Sequence, residues 1–265
     1  MLANFASGGA AINVLARQAG ARLVVVDAGV AAPFEHPLVR SSRLGPGTAN
    51  FAAGPAMSEE TAVRGLLEGA ALAVELARDG IGIVALGEMG IGNTTAASAL
   101  AAAFLSLDPP EVCGRGTGLD DEGVARKAGV VARALEVNDA VGAPPLSVLA
   151  SVGGFEIAFL AGLVLGCAAE RVPVVLDGFI TGAAALVAQR LAPASAGALI
   201  AAHRSAERGH APVLEALGLD PVLELDLRLG EGSGAALVLP LLASALALLR
   251  EMATFESAGV TDSGR

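Results

Sequence analysis

A single glutamate lies among small residues in the segment LRLGEGSGAALVLPLL, residues 227–242. Gly230, Gly232 and Ser233 surround Glu231, and a long apolar run follows. The apolar run favours the interior, and burial raises the pKa of a carboxyl group toward the range that suits a general base. The glycines leave room for a ligand. The alternative is an ordinary helix start, where a carboxylate interacts favourably with the helix dipole.

A glycine-rich segment, GEMGIGNTT, follows the apolar run 81–86 and precedes an alanine-rich stretch. Its backbone N–H groups would lie at a helix start, with amide and hydroxyl donors beside them, an arrangement that suits phosphate. It lacks the spacing and lysine of a P-loop, and also the GxGxxG dinucleotide pattern. A glycine-rich turn with an Asn/Thr helix cap is the alternative. The candidate binding residues are Gly90, Gly92, Asn93, Thr94 and Thr95.

Further candidates lie near predicted strand ends. Glu88 would be either a second carboxylate of the site or a solvated loop acid. Asp177 follows an apolar strand, so it would bind a sugar hydroxyl or cap the next helix. In HRSAERGH, Ser205 suits an anion ligand better than a nucleophile, because no GxSxG elbow accompanies it. His203 and His210 have a spacing that fits no standard zinc pair.

Composition limits the classes of protein. The chain has 265 residues, of which 54% are hydrophobic and 17% charged, so disorder is excluded. The net charge of −10 argues against a nucleic-acid surface. Cys113 and Cys167 have neither metal-ligand spacing nor a CxxC context, and we expect two small buried residues in a reduced compartment. The first residues lack the pattern of a signal peptide.

The chain reads as strands alternating with helices, which predicts an α/β fold: a parallel, Rossmann-like three-layer sheet with helices on both faces. Predicted strands are 23–28, 81–86, 172–176, 199–202 and 223–227. Predicted helices include 10–19, 58–78, 121–137 and 155–167, and residues 40–54 form an ordered loop. We expect one domain over 1–265, with a C-terminal helical element at 241–265.

One uncharged segment, residues 232–249, approaches the length that spans a membrane. Pro240 and the many alanines favour a buried core helix instead. In an open parallel sheet, ligands bind beyond the carboxyl ends of the strands. The unusual loops of this chain fall at such ends, including GRGTG with Gly114 and Gly116. We therefore expect one composite site. Lys127, on the predicted helix 121–137, would ordinarily be an exposed surface lysine.

Five motifs occur in order: GEMGIGNTTAASAL, VGGFEIAFLAG, PVVLDGF, HRSAERGH and RLGEGSGAALVLPLL. Together they resemble the nicotinate-nucleotide:dimethylbenzimidazole phosphoribosyltransferase family over about residues 3–252. The resemblance implies transfer of 5-phosphoribosyl from nicotinate mononucleotide to 5,6-dimethylbenzimidazole, giving α-ribazole 5′-phosphate and nicotinate in cobalamin biosynthesis. It also implies a cytoplasmic homodimer, a small helical domain beside the sheet domain, and no metal or organic cofactor.

The resemblance also assigns roles to residues. Glu231 would be the base that deprotonates the benzimidazole, and Glu88 would assist it. Lys127 matches a position near the nucleotide, which raises it above an ordinary surface lysine. The loops 90–95 and 114–118, with Ser205, match the region that holds the ribose phosphate. Gly230 lies beside the base.

The chain departs from the family pattern at its start. Family members carry an upstream helical segment, a loop with proline and glycine, and a first strand ending in Asp-His-Gly. The first family segment recognisable here is FASGGAAINVLARQAG, from Phe5. We therefore expect an N-terminally shortened chain with an incomplete helical subdomain and base pocket. The alternative functions are a catalytically impaired nucleotide-binding module of this fold and, more remotely, a membrane-anchored protein.

Overall fold

Parallel strands alternate with helices in the computed structural model, which describes residues 1–116 and 118–259. The strands are β1 (Val25–Asp27), β2 (Val39–Ser41), β3 (Val84–Ala85), β4 (Val174–Leu176) and β5 (Leu199–Ala201). All pairs of these strands are parallel: β1 pairs with β2, and the second sheet has the order β3–β4–β5. The predicted parallel α/β class is confirmed, although the strands form two sheets and not one.

Two of the helices begin where the local sequence supplies a side-chain cap. Ser58 accepts the N–H of Thr61 at the start of α3, and Asp120 accepts the N–H of Gly123 at the start of α6. The helices are α1 (Leu2–Ala6), α2 (Ala11–Gln18), α3 (Glu59–Arg78), α4 (Thr94–Leu105), α5 (Pro109–Val112), α6 (Asp121–Val137), α7 (Pro145–Val152), α8 (Phe155–Ala169), α9 (Phe179–Leu191), α10 (His210–Leu217) and α11 (Ser233–Glu251). A 3₁₀ helix covers Pro193–Ala198.

Both faces of the three-stranded sheet are covered. Val174 and Leu176 of β4 belong to the main core, on the side of α8 and α9. Val175 packs with Ala235 and Val238 of α11 on the other side. This division follows from the alternation of side chains along a strand. The three-layer arrangement predicted for this part of the sequence is therefore present around β3–β5.

Two glycines bring α3 and α8 into close contact. A Cβ atom on Gly69 would lie 2.6 Å from the backbone nitrogen of Leu163, and one on Gly162 would lie 2.6 Å from the Cα of Leu66. Side chains at these glycines would push the helices apart. Because α8 begins at Phe155, next to Glu156, this contact also fixes one wall of the site described below.

Two sequence predictions of local structure are wrong. Residues 223–227 do not form a strand: Leu223 makes a single parallel bridge to His203. The run alternates apolar and charged residues, and its other positions find no strand neighbour among the described residues. The loop predicted at 40–54 contains the end of β2, which pairs with β1 through Arg40 and Ser41. Strands of three residues carry too little periodicity to be recognised.

The prediction of a fully buried helix at 232–249 is wrong for its second half. The buried residues of α11 all lie between Ser233 and Val238, where the helix contacts β3 and α2. Beyond Pro240 the helix extends past the sheet, and Leu246, Leu248 and Leu249 are exposed. In the described residues, α11 is the one helix whose length and apolarity would suffice to cross a membrane, with 28% of its most apolar window buried.

Candidate active site

Glu231 is carried by a tight turn directly before α11. Gly230, Glu231 and Gly232 have positive φ angles of 78°, 62° and 83°. The left-handed region suits glycine but costs other residues about 1–2 kcal/mol, so neighbouring contacts must hold it. The Glu231 N–H donates to the carbonyl oxygen of Glu88 at 3.0 Å, and its Oε2 accepts the N–H of Ile12 at 3.2 Å. The half-buried carboxylate therefore lies between the first turn of α2 and the loop after β3.

The backbone contact between these two segments requires a glycine at position 87. A Cβ atom on Gly87 would lie 2.6 Å from the carbonyl carbon of Glu231 and 2.6 Å from the Cα of Gly232. Nothing larger than a hydrogen atom fits there. The loop after β3 and the turn before α11 therefore touch, and their two glutamates, Glu88 and Glu231, become neighbours across the contact.

Asp177 caps α11, a helix that begins more than fifty residues further along the chain. Its Oδ1 accepts the backbone N–H groups of Gly234 and Ala235 at 2.7 and 3.2 Å, and its Oδ2 accepts that of Gly232 at 3.1 Å. The side chain is 2% exposed, and His203 Nε2 lies 3.6 Å from Oδ1. Of the two alternatives, capping is what the geometry supports, but of α11 and not of the next helix.

Glu88 is the carboxyl group with the clearest tuning. Burial raises its pKa from the usual 4.5 to about 7. The hydrogen bond from Asn93 Nδ2 to Glu88 Oε2, at 2.6 Å, opposes that rise. The nearby negative charges of Glu156 and Asp177 add to it. Glu88 is thus no solvated loop acid: a pKa of about 7 leaves both its protonated and its ionised form accessible near neutral pH, which suits an acid–base group.

Glu156 is a third carboxyl group beside the same loop. It lies in the first turn of α8, where it is the one charged residue in an otherwise apolar helix, FEIAFLAGLVLGCAA. Burial raises its pKa, and hydrogen bonding by its own backbone and by the Asn93 side chain lowers it. The carboxylate folds back over Gly154, where a Cβ atom would lie 2.8 Å from both of its oxygens. Asn93 therefore interacts with two carboxyl groups.

Lys127 is buried, contrary to the ordinary expectation for a lysine on α6. Its side chain points toward the start of α4: Nζ donates to Thr94 Oγ1 at 2.8 Å and to the carbonyl oxygen of Gly114 at 3.3 Å. Burial lowers its pKa, while the negative charge of Glu207 and the thiol of Cys113 raise it. A buried cation with hydroxyl and carbonyl neighbours is suited to hold an anion.

A cavity of about 150 Å³ opens next to this lysine. Three cationic side chains line it: Arg115, Arg208 and Arg228. The rest of its lining is Gly114, Gly116, Asp121, Val124, Ala206 and Glu207. Three arginines against the carboxylates of Asp121 and Glu207 leave the lining with a net positive charge, which suits an anion such as a phosphate group. A larger open groove of about 490 Å³ near Arg40 lies on the surface of α3 and contains none of the predicted site residues.

Ser205 lies in a compact turn beside two buried histidines. Its N–H donates to His210 Nδ1 at 2.9 Å, and its Oγ accepts the N–H of Glu207 at 3.3 Å. Burial lowers the pKa of His210 to about 3, with help from the nearby charges of His203 and Arg204. His210 is therefore neutral and structural. Among the described residues, no group of three or more His, Cys, Asp and Glu is placed to hold a metal ion.

The loop 90–95 joins the carboxyl groups to the cations. Asn93 contacts Glu88, and the next residue, Thr94, contacts Lys127. The N–H groups of Asn93 and Thr95 donate to the carbonyls of Gly90 and Gly92, so part of the predicted cradle is used within the turn. The predicted site residues come from five loops and, in the case of Lys127, from α6. Thr117, in the loop 114–118, lies outside the described residues.

Comparison with known proteins assigns the family. The family model described as Phosphoribosyltransferase matches residues 1–260. A relative from Desulforamulus reducens, named nicotinate-nucleotide–dimethylbenzimidazole phosphoribosyltransferase, is 53% identical over 98% of this chain and 75% of its own length. A relative of the same name from Chloroflexus aurantiacus is 54% identical over 99% of this chain and 75% of its own. The chain belongs to this phosphoribosyltransferase family.

A solved structure supports the same assignment. The crystal structure of CobT from Thermus thermophilus matches with a TM-score of 0.94 and 48% sequence identity, covering 99% of this chain and 79% of that one. The resemblance inferred from the ordered motifs is therefore confirmed, as is the α/β fold. The chain spans about three quarters of the length of the curated relatives quoted above.

Several polar residues that lie beside the predicted site residues were not selected from the sequence. Glu156 lies in the motif VGGFEIAFLAG, and its signal was its isolation: a lone acid at the start of an apolar helix needs a reason. Glu207 and Arg208 lie in the motif HRSAERGH, where His203 and His210 were the residues weighed as ligands. Arg115 and Arg228 flank glycine motifs, and nothing local distinguishes them from surface arginines.

Proposed function

We propose that the protein transfers the 5-phosphoribosyl group of nicotinate mononucleotide to 5,6-dimethylbenzimidazole, giving α-ribazole 5′-phosphate and nicotinate for cobalamin biosynthesis. One observation carries the proposal: a backbone hydrogen bond joins Glu231 to Glu88, and the loop that follows Glu88 contacts the buried Lys127 through Thr94. This reaction needs a general base and, at a fixed distance from it, a cationic site that binds the ribose phosphate. The names of the relatives supply the substrates.

The reaction balances with one base. Glu231 takes the N–H proton of the benzimidazole, and the other ring nitrogen donates its electron pair to C1′ of the ribose. The bond from C1′ to the pyridinium nitrogen breaks, and its electrons neutralise that nitrogen, releasing nicotinate. Attack from the opposite face inverts β to α. The leaving group needs no acid, so positioning and one proton transfer suffice. Glu88, with a pKa near 7, assists as a second proton acceptor.

The phosphate is assigned to the cationic end of the site. Lys127 Nζ and Thr94 Oγ1 lie 2.8 Å apart at the wall of the loop 114–116. The arginines of the 150 Å³ cavity add positive charge where the protein as a whole carries a net charge of −10. Local charge is therefore what attracts an anionic nucleotide here. Ser205 and the glycines 114 and 116 complete this end.

We further propose a cytoplasmic homodimer that needs neither a membrane nor nucleic acid. The exposed leucines of α11, Leu246, Leu248 and Leu249, form an apolar surface of the kind that subunit contacts cover. Light scattering coupled to size exclusion tests this: twice the mass of 26.1 kDa is expected. Replacement of Leu249 by Glu should shift the equilibrium toward the monomer.

The decisive experiment follows product formation by chromatography, with nicotinate mononucleotide and dimethylbenzimidazole as substrates. Glu231→Gln keeps the size of the side chain and removes the base. We expect kcat to fall by about 10²–10⁴-fold, the range that general base catalysis contributes. Glu251→Gln, at the other end of the same helix, is the matched control and should retain full activity.

Two results would reject the assignment. Full turnover by Glu231→Gln would remove Glu231 as the base. Calorimetry that finds nicotinate mononucleotide bound by the wild-type protein, with no benzimidazole bound and no product formed, would instead identify a nucleotide-binding module. A requirement for detergent to recover the protein would contradict the cytoplasmic assignment.

A further inference from the structure

The Asp177 carboxylate is occupied by the protein's own backbone. Its two oxygens accept three N–H groups, those of Gly232, Gly234 and Ala235, within 3.2 Å. These three donors use all but one of the roughly four lone-pair positions of a carboxylate. At 2% exposure, the side chain also has almost no surface left to offer a ligand.

We propose that Asp177 is a positioning residue that holds the Glu231 carboxylate in place, and that it does not bind substrate. This inference rests on the proposed function, because it acts through the base of that reaction. The Gly232 N–H belongs to the peptide group that joins Glu231 to Gly232, and that group is planar. Its hydrogen bond to Asp177 Oδ2 therefore fixes the peptide plane, and with it the ψ angle of Glu231, whose φ is already left-handed.

The residues packed around Asp177 keep its carboxylate in a fixed position. Asp177 directly follows β4, and His203 follows the neighbouring strand β5. His203 Nε2 lies 3.6 Å from Asp177 Oδ1, and its ring edge packs against Gly234. The carboxylate is thus held between the two strand ends and α11. Two hydrogen bonds join the Glu231 turn to the sheet: one to the Asp177 side chain, which follows β4, and one from the Glu231 N–H to the carbonyl oxygen of Glu88, which follows β3. A third, from the Ile12 N–H to the Glu231 carboxylate itself, comes from α2.

Asp177→Asn tests the proposal at nearly constant volume. An amide offers only one acceptor oxygen, so in either orientation its NH₂ group faces a backbone N–H donor. We expect kcat to fall about 10- to 100-fold, as for the loss of a charged hydrogen bond, with KM for nicotinate mononucleotide changed less than about twofold. If Asp177 acts through Glu231, the double variant with Glu231→Gln should be no slower than Glu231→Gln alone.

Amide hydrogen exchange provides a readout that does not need turnover. Exchange at Gly232, Gly234 and Ala235 should accelerate about tenfold or more in Asp177→Asn. It should stay unchanged in Ser58→Ala, which removes the cap of α3 instead. Should Asp177→Asn fail to fold, Asp177→Ser removes both carboxylate oxygens without placing an NH₂ group against the backbone donors, and exchange at the same three amides should accelerate.

A raised KM with kcat retained would overturn the proposal and make Asp177 a ligand. Losses that multiply in the double variant, or exchange at these amides equal to the wild type, would overturn it as well. A wild-type protein that forms no product, combined with accelerated exchange in Asp177→Asn, would reject the proposed function and leave the anchoring of the turn supported.

Discussion

Replacing Gly69 by alanine should destabilise the protein, although alanine is the better helix former. A Cβ atom on Gly69 would lie 2.6 Å from the nitrogen of Leu163 and 3.0 Å from the carbonyl carbon of Phe159. The carbonyl oxygen of Phe159 would lie closer still, and ordinary contacts begin near 3.4 Å, so α3 and α8 would have to move apart by more than about 1 Å. The obstacle is backbone of another helix, which cannot rotate away as a side chain could.

The expected magnitude follows from two opposing effects. Overpacking of this kind costs about 3 kcal/mol at the upper end of its usual range. The gain in helix propensity offsets about 1 kcal/mol of that. The net loss of about 2 kcal/mol should lower Tm by roughly 4–8 °C in a protein of this size. Gly129→Ala is the matched control, because Gly129 lies on the exposed face of α6 and a Cβ atom there meets nothing within 4 Å.

Urea denaturation of both variants, followed by circular dichroism, measures the difference. Gly129→Ala should be about 1 kcal/mol more stable than the wild type, so the two alanine variants should differ by about 3 kcal/mol. If Gly69→Ala were as stable as Gly129→Ala, the close contact between α3 and α8 would not exist as described. Activity of Gly69→Ala should fall too, because α8 carries Glu156 into the site.

Two further predictions concern charge. Because burial raises the pKa of Glu88 to about 7, native Glu88 holds a proton that the unfolded chain releases near 4.5; its stabilising effect is complete below 4.5 and is lost as the pH rises through 7. Glu88→Gln, which stays neutral, should therefore gain about 2–3 kcal/mol over the wild type between pH 4 and pH 8 in urea denaturation, and an equal gap at both pH values would contradict the burial of this carboxyl group. Lys127→Met should raise KM for nicotinate mononucleotide at least tenfold while Arg126→Met, its exposed neighbour, leaves it unchanged; an unaltered KM in Lys127→Met would remove Lys127 from the phosphate site.

Signals that lie within one segment were readable from the sequence. The cap at Ser58 and the acidic start of helix 121–137 place α3 and α6 to within a residue, because capping chemistry is local. The ordered motifs identified the family, because each long motif is specific on its own. Glu231 and Glu88 could be selected in the same way, from glycines that leave space beside a carboxylate.

The features that could not be predicted from the sequence depend on residues that are far apart along the chain. The partners of the buried Lys127 ammonium, Thr94 and Gly114, lie outside α6, and α6 alone predicts an exposed side chain. Asp177 caps α11, a helix that no local pattern connects to it. The exposure of the C-terminal half of α11 could not be predicted either, because an apolar helix has the same sequence pattern whether or not other elements cover it.

Because Asn93 and Thr94 are consecutive residues, they fix the separation between Glu88 and Lys127. Asn93 contacts the carboxyl group of Glu88, and Thr94 contacts the ammonium group of Lys127; both residues lie at the start of α4. No single substitution can lengthen or shorten that separation without unwinding the first turn of the helix. Changes in substrate size must therefore be absorbed on the opposite wall. For protein engineering, this makes α4 the part of the site to leave alone and the α2–α11 side the part to vary.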